Sequence, residues 1–306
     1  MLRRIVEITG EGKRLLLDRG FLAIGGPEGV IGSVPLDDIE AVIAASPAVS
    51  FSGQLIDALA QRGAPLVICG ESYVPSVWMV PVNGHHAQGV RMEAQANSSL
   101  PLRKRLWSDL VSAKVEAQAE ALAAAGRVFT PLRRMKDDIR SGDPGNIEAR
   151  AAQYYFPALF GASFRRDRDL EGANTFLNYG YTVLRAATAR AIAAAGLHPS
   201  LGLFHKSRGD AFRLADDLME PFRPAVDLEV LAALADGERI LETHVKRRLV
   251  RVLHRDFQTP EGRAPLSNCL ARFASSLAQI YLGERKTLLL PSPLIPLPDV
   301  PDQLEK

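Results

Sequence analysis

Cysteine is almost missing from this chain. Cys69 and Cys269 are its two thiols and lie far apart in sequence, which excludes a disulfide scaffold and suits a reducing compartment, the cytoplasm. No apolar run approaches the roughly 18 residues needed to span a bilayer, so no membrane partner is expected. The start, Met1-Leu2-Arg3-Arg4-Ile5-Val6-Glu7, lacks the long apolar stretch of a secretory signal. There is no Walker A loop, G-x-S-x-G elbow, C-x-x-C pair or H-E-x-x-H pair. Those absences argue against several common nucleotide-binding and hydrolase classes and against a tightly spaced zinc site. Net charge is small as well, 37 basic against 35 acidic side chains. Apolar residues are plentiful, at 47% of 306 positions. That supports one large or two ordinary cores and excludes whole-chain disorder.

The small net charge hides an uneven distribution. Residues 1–100 carry 7 basic and 10 acidic side chains, whereas residues 101–288 carry 29 and 22. Basic clusters recur in the second region: Arg103-Lys104-Arg105, Arg133-Arg134 with Lys136, Arg165-Arg166 with Arg168, and Lys246-Arg247-Arg248 with Arg251. Positive charge gathered in one region suits a polyanion such as nucleic acid. Solvated helix faces with acids nearby, such as Asp137-Asp138 and Asp167, are the alternative.

The first ninety residues carry strand-and-turn grammar. Short apolar runs at 14–17, 21–24, 30–34, 64–69 and 76–82 are punctuated by glycines. Pro81 predicts an edge position for the last of them. One helix interrupts at 52–63. From Leu102 the apolar period becomes helical: a first helix stops at Gly126, a second runs from Asn178 to Ala195, and others cover 240–253 and 266–281. Five prolines after Lys286 forbid a helix there. The expected fold is α+β: a small β-rich domain over 1–90, a linker at 91–100, an all-helical domain over 101–288 and a Pro-rich extended tail over 289–306.

Three stretches of the helical region concentrate polar side chains. In Gly145 to Phe156, Asn146 reads as an N-cap, which places Glu148 in the first helical turn, where the helix dipole favours an acid. Gly196 to Lys206 reads as a loop that ends in His205. In Asp216 to Pro224, Asp217 and Glu220 are spaced to share a helix face near the break at Pro221. Two or three carboxylates and one imidazole suit a hard divalent cation, Mg²⁺ or Mn²⁺. Such a metal in a basic region points to phosphodiester chemistry.

Four ordered segments carry a family resemblance: Glu148 to Phe156, Asn174 to Leu184, Gly196 to His205 and Asp217 to Pro224. Together they resemble the CRISPR-associated Cas-one family, the metal-dependent nuclease and integrase of spacer acquisition, and the E-P-F-R-P wording resembles its type II form. The resemblance implies that Glu148, His205 and Glu220 are the catalytic metal ligands, with Asp217 an adjacent acid. Many relatives carry aspartate where this chain has Glu220, which keeps the carboxylate on a longer arm. It also implies that a DNA 3′-hydroxyl attacks a phosphodiester at the edge of a CRISPR repeat. Lys206, Arg208 and the clusters holding Arg165, Arg166, Lys246, Arg247 and Arg248 would contact phosphates of double-stranded DNA. The family further implies a homodimer built by the β-rich domain, and a heterohexamer with the small Cas-two protein. Tyr154, Tyr155, Tyr179 and Tyr181 are better read as core than as DNA contacts. A catalytically silent DNA-binding scaffold and a phosphohydrolase of small substrates are the competing functions.

Overall fold

The computed structural model describes residues 4–8, 12–26, 29–44, 46, 48–70, 75–79, 81–82, 86–204 and 211–298. Strands come first: β1 (Arg4–Ile8), β2 (Arg14–Asp18), β3 (Phe21–Gly26), β4 (Gly29–Pro35), β5 (Ile39–Ala44), β6 (Ser50–Phe51), then α1 (Gly53–Gln61), β7 (Leu66–Cys69) and β8 (Pro75–Met79). They form two four-stranded sheets, ordered β4-β3-β2-β6 and β1-β5-β7-β8. In the second sheet β1, β5 and β7 run parallel and β8 returns antiparallel along the edge, where Pro81 at its exit predicts it. The helix expected at 52–63 is α1. Its first turn is capped by the Ser52 hydroxyl, which accepts from the Leu55 N–H at 3.2 Å.

The central strands of the second sheet, β5 and β7, are buried on both faces. Val42, Ala44 and Leu66 point into a core with Leu15, Leu22, Leu55 and Leu59. The alternate residues Ile43, Val67 and Cys69 join the core of the helical part. A strand covered on both faces reads as an unbroken apolar run, without the alternation of a half-exposed strand. That is why β5 had no periodic signature.

Helices follow: α2 (Gln88–Ala96), α3 (Leu100–Ala124), α4 (Thr130–Asp137), α5 (Ile147–Phe160), α6 (Ala173–Ala194), α7 (Arg213–Met219), α8 (Arg223–Ala235), α9 (Thr243–Val250) and α10 (Leu266–Tyr281). Two expectations are corrected here. The stretch expected as a linker holds much of α2, whose buried Gln95 is hydrogen-bonded to the loop after α6. The helical region also contains an antiparallel hairpin, β9 (Asp256–Thr259) with β10 (Gly262–Pro265).

After α10 the described chain is non-helical, as its prolines require, and it is docked. The Ser292 N–H donates to Gln258 O at 3.0 Å, and the Leu297 N–H to Asp256 O at 2.7 Å. The Leu294 N–H donates to the Glu120 carboxylate at 2.6 Å, and the Leu294 side chain packs on Ala113 and Ala117 of α3. The strand-rich and helical parts meet at Glu7 of β1. Its carboxylate accepts from the Tyr179 hydroxyl at 2.8 Å and pairs with Lys246 Nζ at 3.1 Å. Among the described residues no helix is long and apolar enough to cross a membrane.

Candidate active site

Glu148 owes its position to an N-terminal cap that is not the expected one. Asn146 adopts a left-handed backbone, φ +48°, and its side chain makes no cap. Asp143 does the capping: its two carboxylate oxygens accept from the Ile147 N–H at 2.9 Å and the Glu148 N–H at 3.0 Å. Glu148 is thereby fixed in the first turn of α5.

Asp217 and Glu220 were expected to share a face. Asp217 lies in the last turn of α7, while Glu220 opens a single 3₁₀ turn, Glu220–Phe222, that joins α7 to α8. Their carboxylates engage different partners, which removes the like-charge conflict. Asp217 is fully buried and accepts from the Leu203 N–H at 2.6 Å and the Phe204 N–H at 3.3 Å. Glu220 pairs with Lys114 Nζ at 2.5 Å and, through its other oxygen, with the Arg223 guanidinium at 3.1 Å.

Lys114 completes the centre. It projects from α3, and its ammonium lies 2.7 Å from Glu148 as well as 2.5 Å from Glu220. Two carboxylates from separate elements therefore converge on one cation. Lys114 and Glu220 are only 8% and 3% exposed, so the charges meet in a poorly solvated setting. Burial alone would lower the ammonium's proton affinity, but Glu220 and Glu148 outweigh it and hold Lys114 above the ordinary lysine range. No group of three His, Cys, Asp or Glu side chains converges among the described residues. The Glu148–Glu220 pair nonetheless fits a hard divalent cation. Its donors are all oxygen, and they already face one shared positive charge.

The loop leading to His205 is pinned from three sides. The Gln95 side chain donates to His198 O and Leu201 O, both at 3.0 Å, and accepts from the His198 N–H at 2.8 Å. Asp217 holds the next two N–H groups, of Leu203 and Phe204. The Phe204 ring then stacks on Trp107 of α3, with centroids 4.3 Å apart and planes within 4°. His205, Lys206 and Arg208 lie outside the described residues.

Beneath this centre lies a buried polar network. Asp227 of α8 accepts from the Tyr155 hydroxyl at 2.8 Å and from the Tyr181 hydroxyl at 2.5 Å. Burial pushes the Asp227 carboxyl up to about 6, against the opposing pull of the two phenols and Arg223. Arg223 also lies over the Tyr181 ring, 4.8 Å from its centroid. Tyr155, Tyr179 and Tyr181 are core residues, and Tyr154 donates to Val128 O.

The basic residues expected to hold phosphates divide. Lys246 is corrected: it is 4% exposed, and its ammonium serves Glu7 in the joint between strands and helices. Arg166 spans the side-chain oxygens of Asn174 and Asn178 at 2.9 and 2.8 Å. Arg248 is engaged by Asp236 at 2.5 Å. Arg165 and Arg247 are exposed. A cavity of about 120 Å³ beside the pinned loop is lined by Arg103, Arg213, Ser200 and Tyr281, with no acid among the described residues of its wall. Lys114, Arg213 and Arg223 escaped sequence reasoning. For Lys114 a signal existed, since a lysine among Leu110, Val111, Val115 and Ala117 interrupts the apolar face of a helix.

Residues 6–257 match the family model described as "CRISPR associated protein Cas1". The chain is 40% identical over 247 residues to the CRISPR-associated endonuclease Cas1 of Neisseria meningitidis serogroup C (strain 8013), covering 79% of this chain and 81% of the relative. Among solved structures it is similar to a casposase bound to integration product, with a TM-score of 0.78, 20% identity and coverage of 95% and 94%. It is also similar to a Cas6-RT-Cas1–Cas2 complex, with a TM-score of 0.75 and 16% identity, covering 94% of this chain and 36% of that one. At such identities the structures speak for the fold, while the family model and the Neisseria relative speak for descent. This chain belongs to the Cas1 family of CRISPR-associated proteins.

Proposed function

We propose that this chain is the integrase and endonuclease of CRISPR adaptation, inserting captured DNA fragments into a repeat array by divalent-metal-dependent transesterification in the cytoplasm. The carrying observation is the convergence of Glu148 and Glu220 on one cation position in a chain of the Cas1 family. Glu148 and Glu220 would hold Mg²⁺ or Mn²⁺ with His205 as third ligand, and the ion would supply Lewis-acid stabilisation of the phosphoryl oxygens. Arg223 fixes the orientation of Glu220. Asp217 acts on the loop that carries His205 and is a positioning acid, since its carboxylate already serves two backbone N–H groups. Placing the reacting groups in line is the protein's remaining task.

Phosphate contacts would come from Lys206, Arg208, Arg165, Arg247 and the arginines of the cavity, which position a duplex without reading its sequence. The strand-rich region, residues 1–90, would build the homodimer, with residues 101–288 catalytic. Exposed Leu16, Phe21, Val30 and Ile31 on the first sheet support a protein-contact role. Assembly with the small Cas2 protein into a heterohexamer draws support from the solved Cas1–Cas2 complex. A silent DNA-binding scaffold is favoured by one observation, the lysine that already satisfies both carboxylates.

Strand transfer of a labelled short duplex into supercoiled DNA carrying a repeat separates the readings. With the Cas2 partner present, joining is expected in Mn²⁺ or Mg²⁺, not in EDTA, and is expected to vanish in Glu148→Ala, His205→Ala and Glu220→Ala. Joining that survives in any of these variants refutes that ligand. Intact DNA binding without joining in any metal establishes the scaffold.

A further inference from the structure

Among the described residues the Glu148–Glu220 centre is electrically balanced. Two carboxylates face two cations, Lys114 and Arg223, and three of the four groups are nearly sealed from water or close to it, the side chains of Lys114, Glu220 and Glu148 being 10%, 4% and 20% exposed. Adding a divalent ion would leave an excess of two positive charges in a poorly solvated space, which is strongly unfavourable. The two cations are not equivalent. Arg223 holds one oxygen of Glu220 from three residues along the chain, and its planar group also stacks over Tyr181, so it is fixed. Lys114 ends in a compact ammonium on a flexible four-carbon stem, and among the described residues it alone touches both carboxylates.

We propose that Lys114 is the resident cation of the metal-free site, and that its ammonium and a divalent metal occupy the Glu148–Glu220 pair in turn rather than together. The inference rests on the ligand reading above. With lysine seated, the carboxylates keep their convergent arrangement without metal and without mutual repulsion. When metal enters, the ammonium must leave, and a phosphodiester of bound DNA would offer it a new anion. Metal and DNA then bind cooperatively, because each removes an obstacle to the other, and the coupling is reciprocal. Lys114 is thus a positioning residue that sets metal affinity.

The test is Mn²⁺ binding to the full chain, read by electron paramagnetic resonance of the free ion, together with thermal melting. Wild type, Lys114→Met and Lys114→Gln are compared with and without a short DNA duplex. If the seated lysine dominates the metal-free site, its removal should tighten Mn²⁺ binding by about tenfold or more, the reciprocal of the competent fraction. The metal-free variants should melt lower than wild type, and Mn²⁺ should raise their melting temperature by more than it raises the wild type's. DNA should tighten Mn²⁺ binding to wild type more than to the variants. Equal or weaker Mn²⁺ binding by both variants, with binding by wild type intact, overturns the inference and leaves the ligand reading standing. Mn²⁺ binding that is unaffected by Glu148→Gln and Glu220→Gln overturns the ligand reading and the inference with it. Lys114→Gln keeps the test decisive if Lys114→Met does not fold.

Discussion

At Glu220 and Asp227 the same side-chain chemistry meets opposite treatment. Glu220 is buried against two cations, whereas Asp227 is buried against two phenols and its carboxyl is pushed up to about 6. An aspartate titrates near 3.9 in an unfolded chain, so folded Asp227 binds its proton more tightly than the unfolded chain does. Its protonation contributes stability below about pH 4, and that contribution is lost as pH rises through about 6. The melting temperature of wild type relative to Asp227→Asn should therefore fall between pH 4 and about 6 and level off above. A difference that stays flat over this range would show that Asp227 does not titrate there. Glu148, Asp217 and Glu220 were candidates from the sequence because they sit in the ordered segments that carry the family resemblance. Their partners were not legible. Lys114 and Arg223 act through contacts across α3, α5 and the turn after α7, and neither short-range periodicity nor charge clustering encodes which cation reaches which carboxylate.

Among elements, the helices with strong stops were the most legible. α3 and α6 end before Gly126 and Gly196, both in left-handed backbone, and α10 spans the residues its period marks. The start of α5 was misread because Asn146 directly precedes the helix, and only backbone geometry shows that Asp143, three residues earlier, reaches the orphan N–H groups. Asp143→Ala should cost about 1 kcal/mol, the usual worth of an N-cap, in chemical denaturation. It should also weaken Mn²⁺ binding, since Glu148 loses its anchor, while Asn146→Ala should leave metal binding unchanged. α6 and α8 approach so closely at Gly180 that an added Cβ would lie 2.4 Å from Val226 Cγ1. Gly180→Ala should destabilise by about 1–3 kcal/mol through overpacking, and paring back the partner in Gly180→Ala/Val226→Ala should recover part of that loss.

Over the whole molecule, the uneven charge seen in the sequence survives folding only in part. Much of the basic excess in the helical region is consumed internally: Lys246 by Glu7, Arg185 by Asp216 at 2.7 Å, and Lys136 by Glu116 at 2.8 Å. Counting charges along a chain cannot tell a structural ion pair from a free cation, so the DNA-contact assignment was the weakest part of the sequence reading. The cavity beside the pinned loop, with two guanidinium groups and no acid among the described residues of its wall, is a better candidate than the cluster around Lys246. Arg103→Gln/Arg213→Gln should lower the slope of log affinity for duplex DNA against log salt by about 1–2, roughly one per lost phosphate contact, and should leave melting little changed. An unchanged slope would place DNA elsewhere. One consequence follows from the docked segment after α10. Synthesis is vectorial, and the face of α3 formed by Ala113 and Ala117 is covered by Leu294. That face stays uncovered on the ribosome long after α3 itself has emerged. The helix that carries Lys114 thus completes its packing only late in translation, once Leu294 has left the ribosome.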